Sequence, residues 1–250
     1  FNKGTENALE LFTDFSLQVE DGQFVTIVGS NGSGKTSLFN IINGYLPMDA
    51  GKIMLDALDI SDFKDYQRSQ YIARVFQDPK AGSCSTMTIL ENMAIADNKG
   101  RSYGLQRGIN RKRIPYYKEV LATLQMGLEN KLDINVGSLS GGQRQALALI
   151  LAMKDPRLLL LDEHTAALDP QSSANIMEIT QKQIKANHVT TLMITHNLRH
   201  ALAYGDRLIM MDRGKIVWDI AGEMKAQIKM AELVERFSRL NLDMDVDVIG

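Results

Sequence analysis

The stretch GSNGSGKT at residues 29–36 constrains the fold more than any other part of the chain. It fits the pattern G-x-x-x-x-G-K-[ST] without a mismatch, follows the apolar run FVTIV and precedes the helix-like segment TSLFNIINGY. Glycines let backbone N–H groups turn inward around phosphate oxygens, and the start of the following helix adds its dipole. The pattern therefore predicts a strand, a phosphate-binding loop and a helix, in that order.

We expect this loop to bind ATP with Mg²⁺. In such a loop the lysine, here Lys35, reaches the β- and γ-phosphates, and the following hydroxyl, here Thr36, ligates the metal ion. The residues predicted to contact the nucleotide are Gly29, Ser30, Asn31, Gly32, Ser33, Gly34, Lys35, Thr36 and Ser37.

A second constraint is the run LLLLDEH at 158–164, which ends in two adjacent carboxylates. Four leucines bounded by charge are typical of a strand buried on both faces of a parallel sheet. Neighbouring carboxylates repel each other unless a cation or a proton lies between them, and ligand groups collect at the carboxyl ends of parallel strands. We therefore expect Asp162 to serve the Mg²⁺ shell and Glu163 to orient and deprotonate a water aimed at the γ-phosphate. His196 closes the strand-like TTLMITH and is predicted to donate a hydrogen bond to that phosphate.

Strand-like and helix-like segments alternate along the chain, which predicts an α/β fold with a mostly parallel sheet. We expect a single domain over 1–250, with a core at 1–77 and 157–221, a helical insertion at 78–156 and a C-terminal helix at 222–250. The predicted strands are 24–29, 72–76, 158–162, 190–195 and 207–212, and the predicted helices of the insertion lie around 88–96, 114–126 and 140–153.

The segment LSGGQ at 139–143 resembles a second anion site. Ser140 and Gln143 have the spacing of a capping box ahead of an apolar helix. Gly141 and Gly142 would weaken the first turn of that helix, so the backbone there is expected to lie close to another group. The hypothesis is that this helix end completes a nucleotide site on a second copy of the chain.

Composition restricts the classes of protein to which the chain can belong. A net charge of −2 gives no basic field for nucleic acid, and the single cysteine, Cys84, excludes an internal disulfide. The longest apolar run, at 146–153, is too short to span a bilayer, and no signal peptide is visible. We expect a cytoplasmic protein, and because the chain begins at Phe1 rather than Met, we expect residues to precede it.

Six motifs that occur in order along the chain make it resemble one family, the nucleotide-binding subunits of ATP-binding cassette (ABC) transporters. The likeness covers essentially the whole chain and implies a P-loop NTPase core, an antiparallel N-terminal β subdomain and a helical subdomain insertion. It also implies an ATPase that works as an ATP-sandwich dimer. The motifs are GSNGSGKT, the VFQDP that contains Gln77, LSGGQ, LLLLDE, the AALD at 166–169, and His196.

The resemblance implies roles for further residues. Gln77 would help to hold Mg²⁺, sense the attacking water and link to the membrane subunit. Ser140 and Gly142 would contact the γ-phosphate across the dimer, and Asp169 would lie in the loop that couples the two sites. An aromatic residue ahead of the first strands usually stacks on adenine in this family, and Phe1 is the nearest candidate.

One departure is His164, where most family members have proline; a structural histidine is favoured over one that tunes Glu163. DEHTAALD and the GLQRGINRKR segment resemble a bacterial branch of tryptophan/tyrosine-type importers or of other amino-acid importers that are uncharacterised. That branch implies a permease, an extracytoplasmic solute-binding protein and a position on the inner face of the membrane.

Other functions stay open at this point. A GTPase is suggested by DNKG at 97–100 and NKLD at 130–133, two short motifs of low specificity. An exporter ATPase, a soluble ABC ATPase of DNA repair or translation, and a non-hydrolysing ATP switch are the further alternatives. Glu163 argues against the switch, because the predicted base is present.

Overall fold

The computed structural model describes residues 11–100 and 108–239; Phe1 lies outside these ranges. The strands and helices confirm the alternation predicted from the sequence. In chain order they are β1 (Phe24–Gly29), α1 (Lys35–Asn43), β2 (Met54–Leu55), β3 (Leu58–Asp59), α2 (Asp65–Arg68), β4 (Ile72–Val75), α3 (Ile89–Asp97), α4 (Ile114–Ala122), α5 (Gly141–Ala152), β5 (Leu158–Asp162), α6 (Pro170–Asn187), β6 (Thr190–Ile194), α7 (Leu198–Ala203), β7 (Arg207–Asp212), β8 (Lys215–Ala221), α8 (Gly222–Gln227) and α9 (Met230–Arg239).

The chain divides into two compact units. The first unit joins the residues up to Asp65 with those from His188 onward, and the second unit is Tyr66–Asn187. The predicted boundaries of the helical insertion, 78–156, stay a prediction.

The sheet of the first unit is built around β1, which lies between β6 and β7 and runs parallel to both. All six residues of β1 are buried, as expected for a central strand covered on both faces. β8 pairs antiparallel with β7, and β2 pairs with β3 in a separate antiparallel sheet of two strands. The α/β class with a mostly parallel sheet and an antiparallel portion is confirmed.

The register of this sheet brings two predicted site segments to one edge. Ile27 of β1 lies opposite Ile194 of β6, and the pairing continues where the Thr195 N–H donates to the Ile27 carbonyl at 3.2 Å. Two residues further along each strand come Gly29, where the phosphate-binding loop starts, and His196. Parallel strands therefore place the loop and the histidine at the same end of the first unit.

The second unit repeats the arrangement with β4 and β5, which pair in parallel with Val75 opposite Leu161. The following residues of each strand lead directly to Gln77 and to Glu163. The helices of this unit pack around a buried apolar core that includes Leu121, Leu147 and Leu149, each fully buried.

The GLQRGINRKR segment is anchored at its end, through Arg113. The Arg113 guanidinium donates to both oxygens of the buried Asp97 carboxylate at 2.7 and 2.9 Å, and the Tyr117 hydroxyl donates to the same group at 3.0 Å. These donors lower the pKa of Asp97 to about 2, with Arg113 the largest cause. Arg111 and Lys112 are exposed, so the stretch presents charge while one arginine fixes it to α3.

The C-terminal region differs from the single predicted helix, because the described part forms α8 and α9. Ile228 has an extended backbone between them and packs against an apolar cluster that includes Leu233 and Phe237 of α9. The Lys225 ammonium of α8 donates to the carbonyl of Gly205 at 2.8 Å. Ile228 is thus half-buried against the same cluster that the apolar face of α9 contacts.

Candidate functional site

The loop between β1 and α1 has a backbone shape suited to an anion. A Cβ at Gly29 would lie 2.2 Å from the Met211 carbonyl oxygen, so a larger residue does not fit. Gly34, directly before α1, has a φ of 103°, in the left-handed region that favours glycine. Among the described residues no side chain caps α1, so its first backbone N–H groups are available to a ligand or to water.

Lys35 is held in this loop by oxygen atoms of the loop itself. Its ammonium donates to the carbonyls of Gly29 and Ser30 at 2.7 and 2.8 Å and to the Ser33 hydroxyl at 3.3 Å, and the residue is 5% exposed. Neutral oxygens therefore fix the position of a buried positive charge, and a phosphate group would add the negative charge that favours it.

Three other residues of the loop are exposed to solvent. Asn31 and Gly32 at its tip and Thr36 in the first turn of α1 are exposed, and Ser37 is half-buried. His196 is also half-buried. It follows the buried Thr195, whose hydroxyl accepts from the Asn197 N–H at 3.0 Å and so fixes the turn around the histidine.

The second unit collects the other predicted catalytic groups at the ends of β4 and β5. Gln77 is exposed just after β4, while Asp162 and Glu163 are half-buried at the end of β5. Glu163 has a φ of 47°, in the left-handed region, which is uncommon for a residue with a side chain. The parallel pairing brings these three residues to one edge of this unit.

Arg74 is a residue of this site that sequence reasoning missed. Its guanidinium forms a short ion pair with the Asp162 carboxylate, and the two side chains are 7% and 14% exposed. The Arg74 guanidinium also stacks over the Phe76 ring, 4.9 Å from its centroid. A charged residue inside the apolar strand IARVF was the available signal, because a buried arginine requires a partner.

The LSGGQ segment forms the capping box that its spacing predicts. The Ser140 hydroxyl accepts from the Gln143 N–H at 3.2 Å, and the Gln143 side chain accepts from the Ser140 N–H at 3.3 Å. A Cβ at Gly141 or Gly142 would meet its nearest described neighbours at 3.4 and 3.6 Å, which is ordinary van der Waals contact. Neither glycine has a positive φ, so the packing of the described residues does not require glycine at either position.

Asp169 lies at the start of α6, where its carboxylate accepts from the Ser172 N–H at 3.0 Å. Hydrogen bonds to Ser172 lower the pKa of this exposed carboxyl group. The residue therefore has a local structural role as a helix cap, beside the coupling role that the family resemblance implies.

The two short motifs that suggested a GTPase are not arranged for base recognition. Asp97 of DNKG is buried at the end of α3 in its ion pair with Arg113, and Asn130 of NKLD ends a short 3₁₀ helix rather than a buried strand. Both motifs therefore have structural explanations within the second unit.

The residues predicted to hold Mg²⁺ offer the donor atoms that this ion prefers. A hydroxyl from Thr36, an amide oxygen from Gln77 and a carboxylate from Asp162 are hard oxygen ligands, and nucleotide phosphates commonly supply the others. The donor set therefore fits Mg²⁺. Among the described residues no group of three or more His, Cys, Asp or Glu side chains is placed to hold a metal ion.

No helix within residues 11–100 and 108–239 has both the length and the apolar character needed to cross a membrane.

Comparison with known proteins identifies relatives for nearly all of the chain. Residues 12–166 match the ABC transporter family model. A tyrosine transport ATP-binding protein of Clostridioides difficile is 45% identical over 228 residues, which cover 91% of this chain and 90% of that protein.

A further relative and a solved structure also belong to ATP-binding subunits or cassettes. The energy-coupling factor transporter ATP-binding protein EcfA2 of Caldanaerobacter subterraneus subsp. tengcongensis is 30% identical over 243 residues, covering 94% of this chain and 80% of that protein. A dimeric post-hydrolysis structure of the ATP-binding cassette MJ0796, bound to ADP and Pi, superposes with a TM-score of 0.72 at 27% identity and covers 88% of this chain and 94% of that one. The chain belongs to the ABC transporter family and is one of its ATP-hydrolysing, nucleotide-binding domains.

Proposed function

We propose that this ATPase energises the import of a small solute, the amino acid tyrosine or a related aromatic one, through a separate permease. The observation that carries the proposal is the 45% identity to a tyrosine transport ATP-binding protein along nearly the full length of both chains. In this proposal the chain lies on the inner face of the membrane through its permease, and an extracytoplasmic solute-binding protein delivers the cargo.

The proposed chemistry follows from the residues at the strand ends. The loop Gly29–Ser37 binds the phosphates, and Lys35 supplies the buried positive charge to the β- and γ-phosphates. Thr36, Gln77 and Asp162 would hold Mg²⁺, which when bound neutralises charge on the phosphate oxygens.

Glu163 is proposed as the general base that takes a proton from the attacking water. Gln77 orients that water, and His196 donates a hydrogen bond to the γ-phosphate as negative charge shifts onto the leaving oxygen. Arg74 orients the Asp162 carboxylate through their ion pair. The Phe1 assignment to adenine stacking stays a prediction, because that residue lies outside the described ranges.

A second copy of the chain is proposed to complete each nucleotide site. Glycine in a helix costs roughly 0.5–1 kcal/mol relative to alanine, yet Gly141 and Gly142 open α5 without a need that the described residues explain. Ser140 and the exposed N–H groups of this helix start suit a phosphate. Together with Gln143, these residues would contact ATP held by the partner, while Asp169 of one copy faces the site of the other.

The dimer leads to a prediction that separates association from folding. In saturating ATP with Mg²⁺, the Glu163→Gln protein is expected to double in mass by light scattering, because ATP is retained between two copies. Adding Gly142→Ala should lower dimer affinity at least about 10-fold while raising the melting temperature slightly, since alanine fits the fold and favours a helix.

Gly108→Ala is the matched control, since a Cβ there meets nothing within 4 Å among the described residues. It should change neither the dimer affinity nor the melting temperature by a measurable amount. A Glu163→Gln protein that stays monomeric in saturating ATP would contradict the sandwich arrangement.

The cargo requires a transport experiment. The chain, copurified with its membrane subunit and reconstituted in vesicles, is expected to drive ATP-dependent accumulation of labelled tyrosine or tryptophan, and the cognate solute-binding protein should stimulate ATP turnover. The same assembly with Glu163→Gln should accumulate neither. ATP-driven movement in the opposite direction would indicate an exporter, and ATPase activity with no membrane partner would indicate a soluble ABC ATPase.

A further inference from the structure

His164 directly follows the proposed base, Glu163, and its side chain contacts Thr180 of α6. The residue is 2% exposed, and its Nε2 lies 3.2 Å from the Thr180 hydroxyl, which is fully buried on α6. A histidine that occupied the position of the usual proline merely as a surface substitution would be exposed. This one links the end of β5 to the middle of α6.

The direction of that hydrogen bond follows from the partner of Thr180. The Thr180 hydroxyl donates its only proton to the Ile176 carbonyl at 2.7 Å, so toward His164 it can only accept. The histidine therefore carries its proton on Nε2 and donates it to Thr180. Removing the His164 side chain takes a donor from the Thr180 hydroxyl, and removing the hydroxyl leaves the buried His164 Nε2–H without this acceptor; either loss costs free energy.

The backbone beside His164 needs such support. Glu163 has a φ of 47°, a conformation in which a residue with a side chain persists only where its surroundings hold it. The turn that follows is secured by two backbone hydrogen bonds: the Ala166 N–H donates to the Glu163 carbonyl at 2.9 Å, and the Leu168 N–H donates to the Thr165 carbonyl at 3.2 Å. His164 fixes this turn to α6 by its side-chain hydrogen bond to Thr180.

We propose that His164 is a positioning residue for Glu163: its hydrogen bond to Thr180 fixes the strained turn to α6 and so aims the Glu163 carboxylate at the attacking water. The inference rests on the proposed role of Glu163 as the general base. Small displacements of a catalytic group lower the rate of the chemical step strongly, whereas the phosphate-binding loop, in the first unit, is built from other residues. Loss of the bond should therefore lower kcat and leave nucleotide binding unchanged.

The test compares variants that remove the bond with variants that keep it. His164→Phe and Thr180→Val should each lower kcat by roughly 10- to 100-fold with less than about a 3-fold change in KM for ATP. His164→Gln, whose amide N–H can reach Thr180, and Thr180→Ser, which keeps the hydroxyl, should each restore kcat to within about 3-fold of the parent.

Gln183→Met is the matched control on the same helix, because it removes a hydrogen bond from α6 to Thr123 at 2.7 Å, away from the turn. It should leave kcat unchanged. Should His164→Phe fail to fold, the comparison of Thr180→Val with Thr180→Ser, both with melting temperatures above the assay temperature, decides the question.

The outcomes separate this inference from the proposed function. Undiminished turnover in Glu163→Gln would remove the base and the positioning role together. Loss of turnover in Glu163→Gln with parental kcat in Thr180→Val would overturn the positioning role alone. A fall in kcat that the conservative variants do not restore, or an equal change in KM, would likewise overturn it, because a merely structural defect has that signature.

Discussion

Glu163→Gln is expected to bind ATP with nearly parental affinity and to hydrolyse it at least about 10²-fold more slowly. The amide has almost the same size as the carboxylate but cannot accept a proton from water at neutral pH, and general-base catalysis typically contributes 10²- to 10⁴-fold. The change alters the step that forms the new bond to phosphorus and spares the phosphate-binding loop, which lies between β1 and α1. Phosphate release under saturating ATP and nucleotide affinity by titration measure the two quantities separately.

Glu178→Gln provides the matched control for this prediction. Glu178 is exposed on α6 in the same unit, so the substitution makes the same change of charge away from the strand ends. It should leave turnover within about 2-fold of the parent, since exposed charges contribute little. Parental turnover in Glu163→Gln would assign the proton transfer to another group.

The strands and the loop were predictable because their signals are local or follow a general rule. GSNGSGKT lies between an apolar strand and a helix, and parallel strands bring their carboxyl ends to one edge, so the grouping of Gly29 with His196 followed before any coordinates. The capping box at Ser140 likewise depends on residues three apart. These features need no knowledge of tertiary packing.

Other contacts depend on register and side-chain direction, which the sequence does not display. Arg74 and Asp162 are 88 positions apart, and their ion pair follows from the parallel pairing of β4 with β5 and from the direction in which the guanidinium extends. His164 was expected to be structural, but its partner Thr180 depends on how α6 packs beside β5. The break at Ile228 also escaped prediction, because apolar residues recur at helical spacing on both sides of it, although the backbone of Ile228 is extended.

Lys35→Met and Lys35→Ala are expected to weaken ATP binding itself. Charge-assisted hydrogen bonds contribute about 1.5–3 kcal/mol, so loss of the ammonium should raise the dissociation constant by roughly 10- to 100-fold. The methionine variant keeps most of the length of the side chain, which separates the loss of charge from the loss of packing. Titration calorimetry with Glu163→Gln in the background measures binding without turnover.

The structure adds a second expectation for Lys35. Its ammonium holds the Gly29 and Ser30 carbonyls and the Ser33 hydroxyl, so both variants should also lower the melting temperature without nucleotide, because these oxygens lose their donor. Lys215→Ala, an exposed lysine at the start of β8, should change neither affinity nor melting temperature. If Lys35→Met bound ATP within about 3-fold of the parent, the buried ammonium would be a structural clamp of the loop rather than a ligand of the phosphates.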